Sequence, residues 1–151
     1  MSINTIRYAE DVTVGERLPQ VDLPLTVYRL VMAAGANRDF NSIHHNTEYA
    51  RSTGAPEMYA NTSLLMSSWE RCVRDWAGPT AQFDSIRGFR MKAFNTVGTT
   101  LSVHGEVTSC ELGQDDARVS IRVWCESAGR VSVGPGTVSL RLPRREQAGP
   151  G

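Results

Sequence analysis

The sequence predicts an α+β domain in which an antiparallel β-sheet wraps around one long central helix. Three observations carry this. From about Tyr59 to Ala77, the residues Leu65, Trp69, Cys72, Val73 and Trp76 fall at i, i+4, i+7, i+8 and i+11, one apolar stripe at helical spacing. Beyond it the period drops to two, the signature of strands buried on one face. A sheet with one apolar face needs a cover, and that helix is the only element of the right size.

In chain order, Arg17 to Leu25 reads as a short strand, and Val27, Leu30, Val31 and Ala34 then recur at helical spacing up to a stop near Gly35. Asn37 to Asn46 is polar and punctuated, and reads as a loop. Asn61, Thr62 or Ser63 supplies the cap of the long helix, which Gly78-Pro79 ends. Leu101, Val103 and Val107 alternate with Ser102, His104, Glu106 and Thr108. Val119, Ile121, Val123 and Cys125 alternate with Arg118, Ser120, Arg122 and Glu126, and Val138, Leu140 and Leu142 with Thr137, Ser139 and Arg141. The turns at Gly113 to Asp116 and at Ala128-Gly129 are short, so neighbouring strands should be antiparallel. Gly134-Pro135-Gly136 interrupts the last run and predicts a bulge or an edge position.

A chain of 151 residues suits a single domain. Acidic and basic residues balance, 16 against 16, which leaves no overall field to hold nucleic acid or an anionic membrane. No apolar run approaches the roughly 20 residues of a membrane span. Nothing in Met1 to Gly15 has the order of a signal peptide, so the expected location is cytoplasmic. Cys72, Cys110 and Cys125 are odd in number, widely spaced and without a CxxC pair, against a disulfide framework or a zinc site. Cys72 and Cys125 continue apolar faces and read as small hydrophobes. There is no G-x-G-x-x-G, P-loop or H-E-x-x-H, and no metal or bound cofactor is expected. Trp69 and Trp76 read as core, and His104 as an exposed residue of a strand's polar face.

The segment Asp39-Phe40-Asn41-Ser42-Ile43-His44 carries the strongest chemical signal. It sets a carboxylate and an imidazole five residues apart just after a helix, where rigid elements can aim acid and base groups at a substrate. Histidine exchanges protons near neutrality, and an aspartate beside it can orient water or hold the charged ring. Taken alone, such a pair is more often a loop cap and a surface ring than a catalytic centre.

The run from Asp39 to Ala50 resembles the signature of the MaoC-like (R)-specific enoyl hydratase/dehydratase family, roughly D-x-N-P-I-H followed six residues on by Ala or Ser; Asp39, Asn41, Ile43, His44 and Ala50 match in register. The resemblance runs through the helix and into Met91 to Val107, including Gly98 and Gly105-Glu106-Val107, and spans roughly residues 15 to 142. Arg74-Asp75-Trp76-Ala77-Gly78-Pro79 and His44-His45 look most like the small catalytic subunits of actinobacterial steroid side-chain hydratases, which pair with a second MaoC-like chain.

The resemblance implies a single hot-dog domain over residues 15–143, with an N-terminal extension at 1–14 and a flexible C-terminal tail at 144–151. It implies addition of water to, or its removal from, the α,β double bond of an acyl thioester carried by CoA or acyl-carrier protein. Asp39 and His44 would hold the water, and Asn41, Asn61, Thr62 and Ser63 would contact substrate or form the oxyanion site at the helix start. A homodimer or a heteromer with a second MaoC-like subunit is implied, with no nucleic acid or membrane partner.

The chain departs from the pattern at three places. Ser42 replaces the family's proline. Counting onward, Thr62 falls where the family has the glycine whose N–H receives the thioester oxygen, and Asn61 falls where it has histidine. A threonine there either assists the amide, narrows the site or marks a different oxyanion hole, and Asn61 reads as cap or as substrate contact. Two alternatives remain: a non-catalytic thioester-binding subunit, and a hot-dog thioesterase, for which Glu57 is the only carboxylate near the helix start.

Overall fold

In the computed structural model, described over residues 5–145, five strands form one antiparallel sheet in the order β1-β3-β4-β5-β2. The strands are β1 (Val21–Pro24), β2 (Gln82–Arg87), β3 (Thr100–Leu112), β4 (Asp116–Ser127) and β5 (Arg130–Pro143). Three α-helices precede β2: α1 (Val27–Ala36), α2 (Thr47–Ser52) and α3 (Thr62–Ala77). Helix α3 is the long helix expected from the stripe, with its first turn at Thr62 rather than Tyr59.

The inward residues of β3, β4 and β5 are those of the alternating pattern: Leu101, Val103, Val107, Val119, Ile121, Val123, Cys125, Val138, Leu140 and Leu142 are all buried, against Leu65, Trp69, Cys72, Val73 and Trp76 of α3. Close contacts explain two glycines of β5. Gly134 has φ +75°, and a Cβ there would stand 2.8 Å from the Trp69 ring; one on Gly136 would stand too close to the Arg87 carbonyl. Gly134-Pro135-Gly136 is therefore not an edge, because β5 lies between β4 and β2. The bulge half of that expectation holds: the register of β4 on β5 shifts on either side of Cys125.

Two elements were not anticipated. Helix α2 has only six residues, and the bulge between Phe83 and Ser85 in β2 destroys the period-two pattern that would have marked a strand. His104 also differs from expectation. Its ring stacks on Trp124 at 5.3 Å, and Nε2 is shut off from solvent. It is half-buried because β3 and β4 pair His104 directly with Trp124.

The start of the described chain meets the end of α3 through Thr5 and Arg7. The Arg7 guanidinium lies 4.5 Å over the Trp76 ring while its Nε donates to the Trp76 carbonyl at 2.9 Å. Arg144 and Arg145, the first residues of the expected tail, pair with Glu10 and Asp11; 146–151 lie outside the described residues. No helix among the described residues is long and apolar enough to cross a membrane.

Candidate active site

Asp39 is placed by the end of α1. That helix closes with Asn37 as its cap and Arg38 in the left-handed region at φ +55°. The Arg38 N–H donates to the Gly35 carbonyl at 3.1 Å and the Asp39 N–H to the Ala34 carbonyl at 2.9 Å. These are the two bonds of a Schellman closure, with arginine in the position glycine usually fills. The carboxylate is thus delivered by helix geometry, and Asn37 to Asn46 is more ordered than a plain loop.

His44 ends a 3-10 turn, Ser42–His44. Asn41 caps that turn, its Oδ1 accepting from the Ile43 N–H at 3.2 Å, a task that keeps the turn closed where the family's proline would otherwise pre-set φ. His44 is buried. Its Nδ1 lies 2.8 Å from the Tyr59 carbonyl and its Nε2 lies 3.1 Å from Asp39 Oδ2. A carbonyl only accepts, so Nδ1 carries a hydrogen. Nε2 then faces a carboxylate oxygen within hydrogen-bond reach. When the ring is protonated its Nε2 donates to the Asp39 carboxylate, so the geometry gives a proton a path between the two groups.

Asn61 joins the pair to α3. Its Oδ1 accepts from the Leu64 N–H at 2.9 Å, capping the helix, and its Nδ2 donates to Asp39 Oδ2 at 3.3 Å. The amide is buried, and both ends are in use. Thr62 and Ser63 follow on the exposed first turn, where helix geometry leaves their N–H groups without intrahelical acceptors. The Thr62 hydroxyl reaches only the Met91 sulfur, at 4.0 Å.

Of the expected site residues, then, Asp39 meets both His44 and Asn61, Thr62 and Ser63 stand at the adjoining helix mouth, and Asn41 supports the turn that presents His44. Sequence reasoning missed Tyr59. Its carbonyl fixes the imidazole, and a backbone acceptor has no residue signature. It also missed Asn95, whose carbonyl accepts from the Ala60 N–H at 2.9 Å and ties the approach to α3 to the segment before β3. Glu57 is engaged elsewhere: hydrogen bonds from Thr47 and Arg51 hold its carboxyl below the usual range and fasten α2. His45 is exposed. No group of three or more His, Cys, Asp or Glu able to hold a metal occurs among the described residues.

A curved sheet around a capped helix, with an Asp–His pair at the helix mouth, defines the class as a hot-dog protein of the hydratase kind. The chain belongs to the MaoC-like enoyl hydratase/dehydratase family. It is 31% identical over 134 residues to the 3-oxo-4,17-pregnadiene-20-carboxyl-CoA hydratase beta subunit of Mycobacterium tuberculosis, covering 88% of this chain and 97% of that one. In the crystal structure of the ChsH1-ChsH2 complex from the same organism, a chain 28% identical superposes with a TM-score of 0.75, covering 88% of this chain and 98% of that one. The R-hydratase PhaJ1 from Pseudomonas aeruginosa, at 21% identity and a TM-score of 0.77, covers 95% of this chain and 93% of its own and shares the fold. No family model matches the chain.

Proposed function

We propose that this protein hydrates the α,β double bond of an enoyl thioester, or runs the reverse dehydration, with Asp39 and His44 as acid–base pair. The observation that carries this is the 3.1 Å contact between His44 Nε2 and Asp39 Oδ2, with Nδ1 committed to the Tyr59 carbonyl. Asp39 as carboxylate takes a proton from water as the oxygen bonds to Cβ. His44, charged, gives its Nε2 proton to Cα on the same face. The proton on Asp39 then passes across the contact to His44 and restores the starting state, so one water is consumed and no net proton is released.

The negative charge that develops on the thioester oxygen needs donors. The first-turn N–H groups at Thr62 and Ser63, with the positive end of α3, supply them, and the exposed Thr62 hydroxyl stands beside them as a further donor. This gives Thr62 a part in the oxyanion site although it replaces the family's glycine. The engagement of Glu57 with Arg51 and Thr47 weighs against the thioesterase reading.

This reading takes a steroid-derived acyl-CoA as substrate class and a second subunit as partner, in the cytoplasm; a relative named as a 3-oxo-4,17-pregnadiene-20-carboxyl-CoA hydratase subunit and a relative's two-protein complex support the first two. Asp39→Asn and His44→Ala are each expected to lower kcat about 10²–10⁴-fold while keeping the fold by circular dichroism, the range general acid–base groups contribute. An enoyl-CoA panel assayed by loss of the conjugated thioester absorbance reads this. Near wild-type turnover by either variant removes the mechanism.

A further inference from the structure

The outer face of the sheet, turned away from α3, carries a polar groove of about 580 Å³ lined by Asp84, Ser85, Arg87, Arg118, Ser139 and Arg141. Its floor follows from strand register. Ser85 of β2 pairs with Ser139 of β5, and Ser139 with Ser120 of β4, so three hydroxyl side chains form one row across the strands. Their chain neighbours Val119, Ile121, Val138 and Leu140 are buried on the core side, which turns the serines outward.

Arginines stand on both sides of that row. Two residues along in one direction, Arg118 lies directly opposite Arg141; two along in the other, Arg87 lies opposite Thr137. Arg141 is neutralised within the chain, its Nε donating to Asp84 Oδ1 at 3.1 Å and its Nη1 standing 3.5 Å from Asp116 Oδ2. Arg87 and Arg118 are exposed, and neither has a carboxylate within 4 Å among the described residues. Like charges directly opposed across a ladder destabilise it, and Arg118 faces Arg141 with no counter-ion of its own.

Arg87 and Arg118 are offset by four residues along the strands and by two strands across them. That places their Cα atoms roughly 16 Å apart, at about 3.3 Å per residue and 4.8 Å per strand. Two extended arginine side chains narrow such a gap from either end, leaving the width of two linked phosphates above the serine row. Planar forks bind phosphate oxygens in pairs, and hydroxyls satisfy those that remain. We propose that this groove is a second, non-catalytic site for a small molecule bearing a diphosphate, such as a nucleoside diphosphate, held between Arg87 and Arg118. It is separate from the Asp39–His44 pair, none of whose residues lines it.

The test uses the full chain in the assembly in which it purifies, with pyrophosphate as the calorimetric probe at fixed ionic strength. One pyrophosphate per chain is expected, with inorganic phosphate about tenfold weaker because it cannot span both forks. Arg87→Ala and Arg118→Ala should each weaken pyrophosphate binding about tenfold, the loss of one charge-assisted contact, with melting temperatures unchanged. Arg122→Ala is the control: this outward arginine of β4 lies over the Trp124 ring and outside the groove, so its loss should leave binding as it was. Asp39→Asn should bind pyrophosphate as wild type does. The proposal is overturned by an absence of saturable binding, by equal affinity for phosphate and pyrophosphate, or by wild-type binding in an Arg87→Ala/Arg118→Ala double variant. An equal loss in Arg122→Ala overturns it in favour of a diffuse field. Displacement of pyrophosphate by coenzyme A overturns it too, since the phosphates would then be those of the thioester's own carrier.

Discussion

Asn61 shows how one side chain serves the helix and the site together. Its Oδ1 closes the first turn of α3 while its Nδ2 holds the Asp39 carboxylate in place beside His44. From sequence, cap and site contact were alternatives; the amide has an acceptor end and a donor end, and the fold uses both. Substitutions separate them. Asn61→Ala is expected to lower unfolding free energy by about 1 kcal/mol, the usual worth of such a cap, and to slow hydration. Asn61→Ser restores an acceptor for the Leu64 N–H, so urea unfolding should recover most of that stability, but it has no donor for Asp39 and hydration should stay slow. Wild-type turnover by Asn61→Ser would show that the amide does not position Asp39. Asp39 and His44 themselves were legible because their spacing is a local pattern. The Tyr59 carbonyl was not, since any residue could have provided it.

At the scale of elements, the seam between α3 and the sheet is set by Trp69, Cys72 and Cys125. The Trp69 indole donates to the Cys125 sulfur at 3.2 Å. Burial pushes the Cys72 thiol up to about 12, with the nearby Cys125 adding to the shift; burial likewise raises Cys125 to about 11 against the hydrogen bonds from Trp69 and Ser68. Both values stand above the roughly 8.5 of a free thiol. The unfolded chain therefore releases these protons first, so the stability the neutral thiols confer is intact below pH 8.5 and declines as pH climbs toward 11. The loss is up to about 1.4 kcal/mol per pH unit for each thiol. Urea unfolding from pH 8 to 10.5 should show a steep fall, and a Cys72→Ala/Cys125→Ala variant a shallower one. Equal slopes would remove the linkage. The helix and the three long strands could be read because each keeps its period over many residues. Strand β2 could not, because Phe83 and Ile86 straddle a bulge, and α2 is too short to show a period.

For the whole molecule, several large apolar side chains stay outside: Tyr28 and Phe40 are each 74% exposed, Leu112 is 61% exposed, and Met91 and Phe94 are roughly half exposed. Phe40 follows Asp39 directly, and Met91 and Phe94 line a hollow with Tyr59. Large apolar groups so grouped in a chain with balanced charge mark a surface meant to be covered. The sheet also ends in β1 and β2, neither capped by a further strand among the described residues. An assembly of at least two hot-dog units is expected, a dimer or a heterotetramer with a second MaoC-like subunit. Light scattering at micromolar concentration should return twice the chain mass or more, and a monomer would count against the assembly. Composition set limits on partners through the charge balance. It held no information on which apolar groups would remain outside, because the same residue types fill the core.

By itself the sequence determined the long helix and the antiparallel meander, since each is written in short-range spacing that the local backbone enforces, and it singled out Asp39 and His44 through their place in a family motif. Only the tertiary structure decided that His44 meets Asp39 through Nε2, that Asn61 bridges helix and site, that β5 lies inside the sheet, and that Arg87 and Arg118 line one groove. Those relations join segments distant along the chain, and distance in sequence leaves no periodic trace of nearness in space.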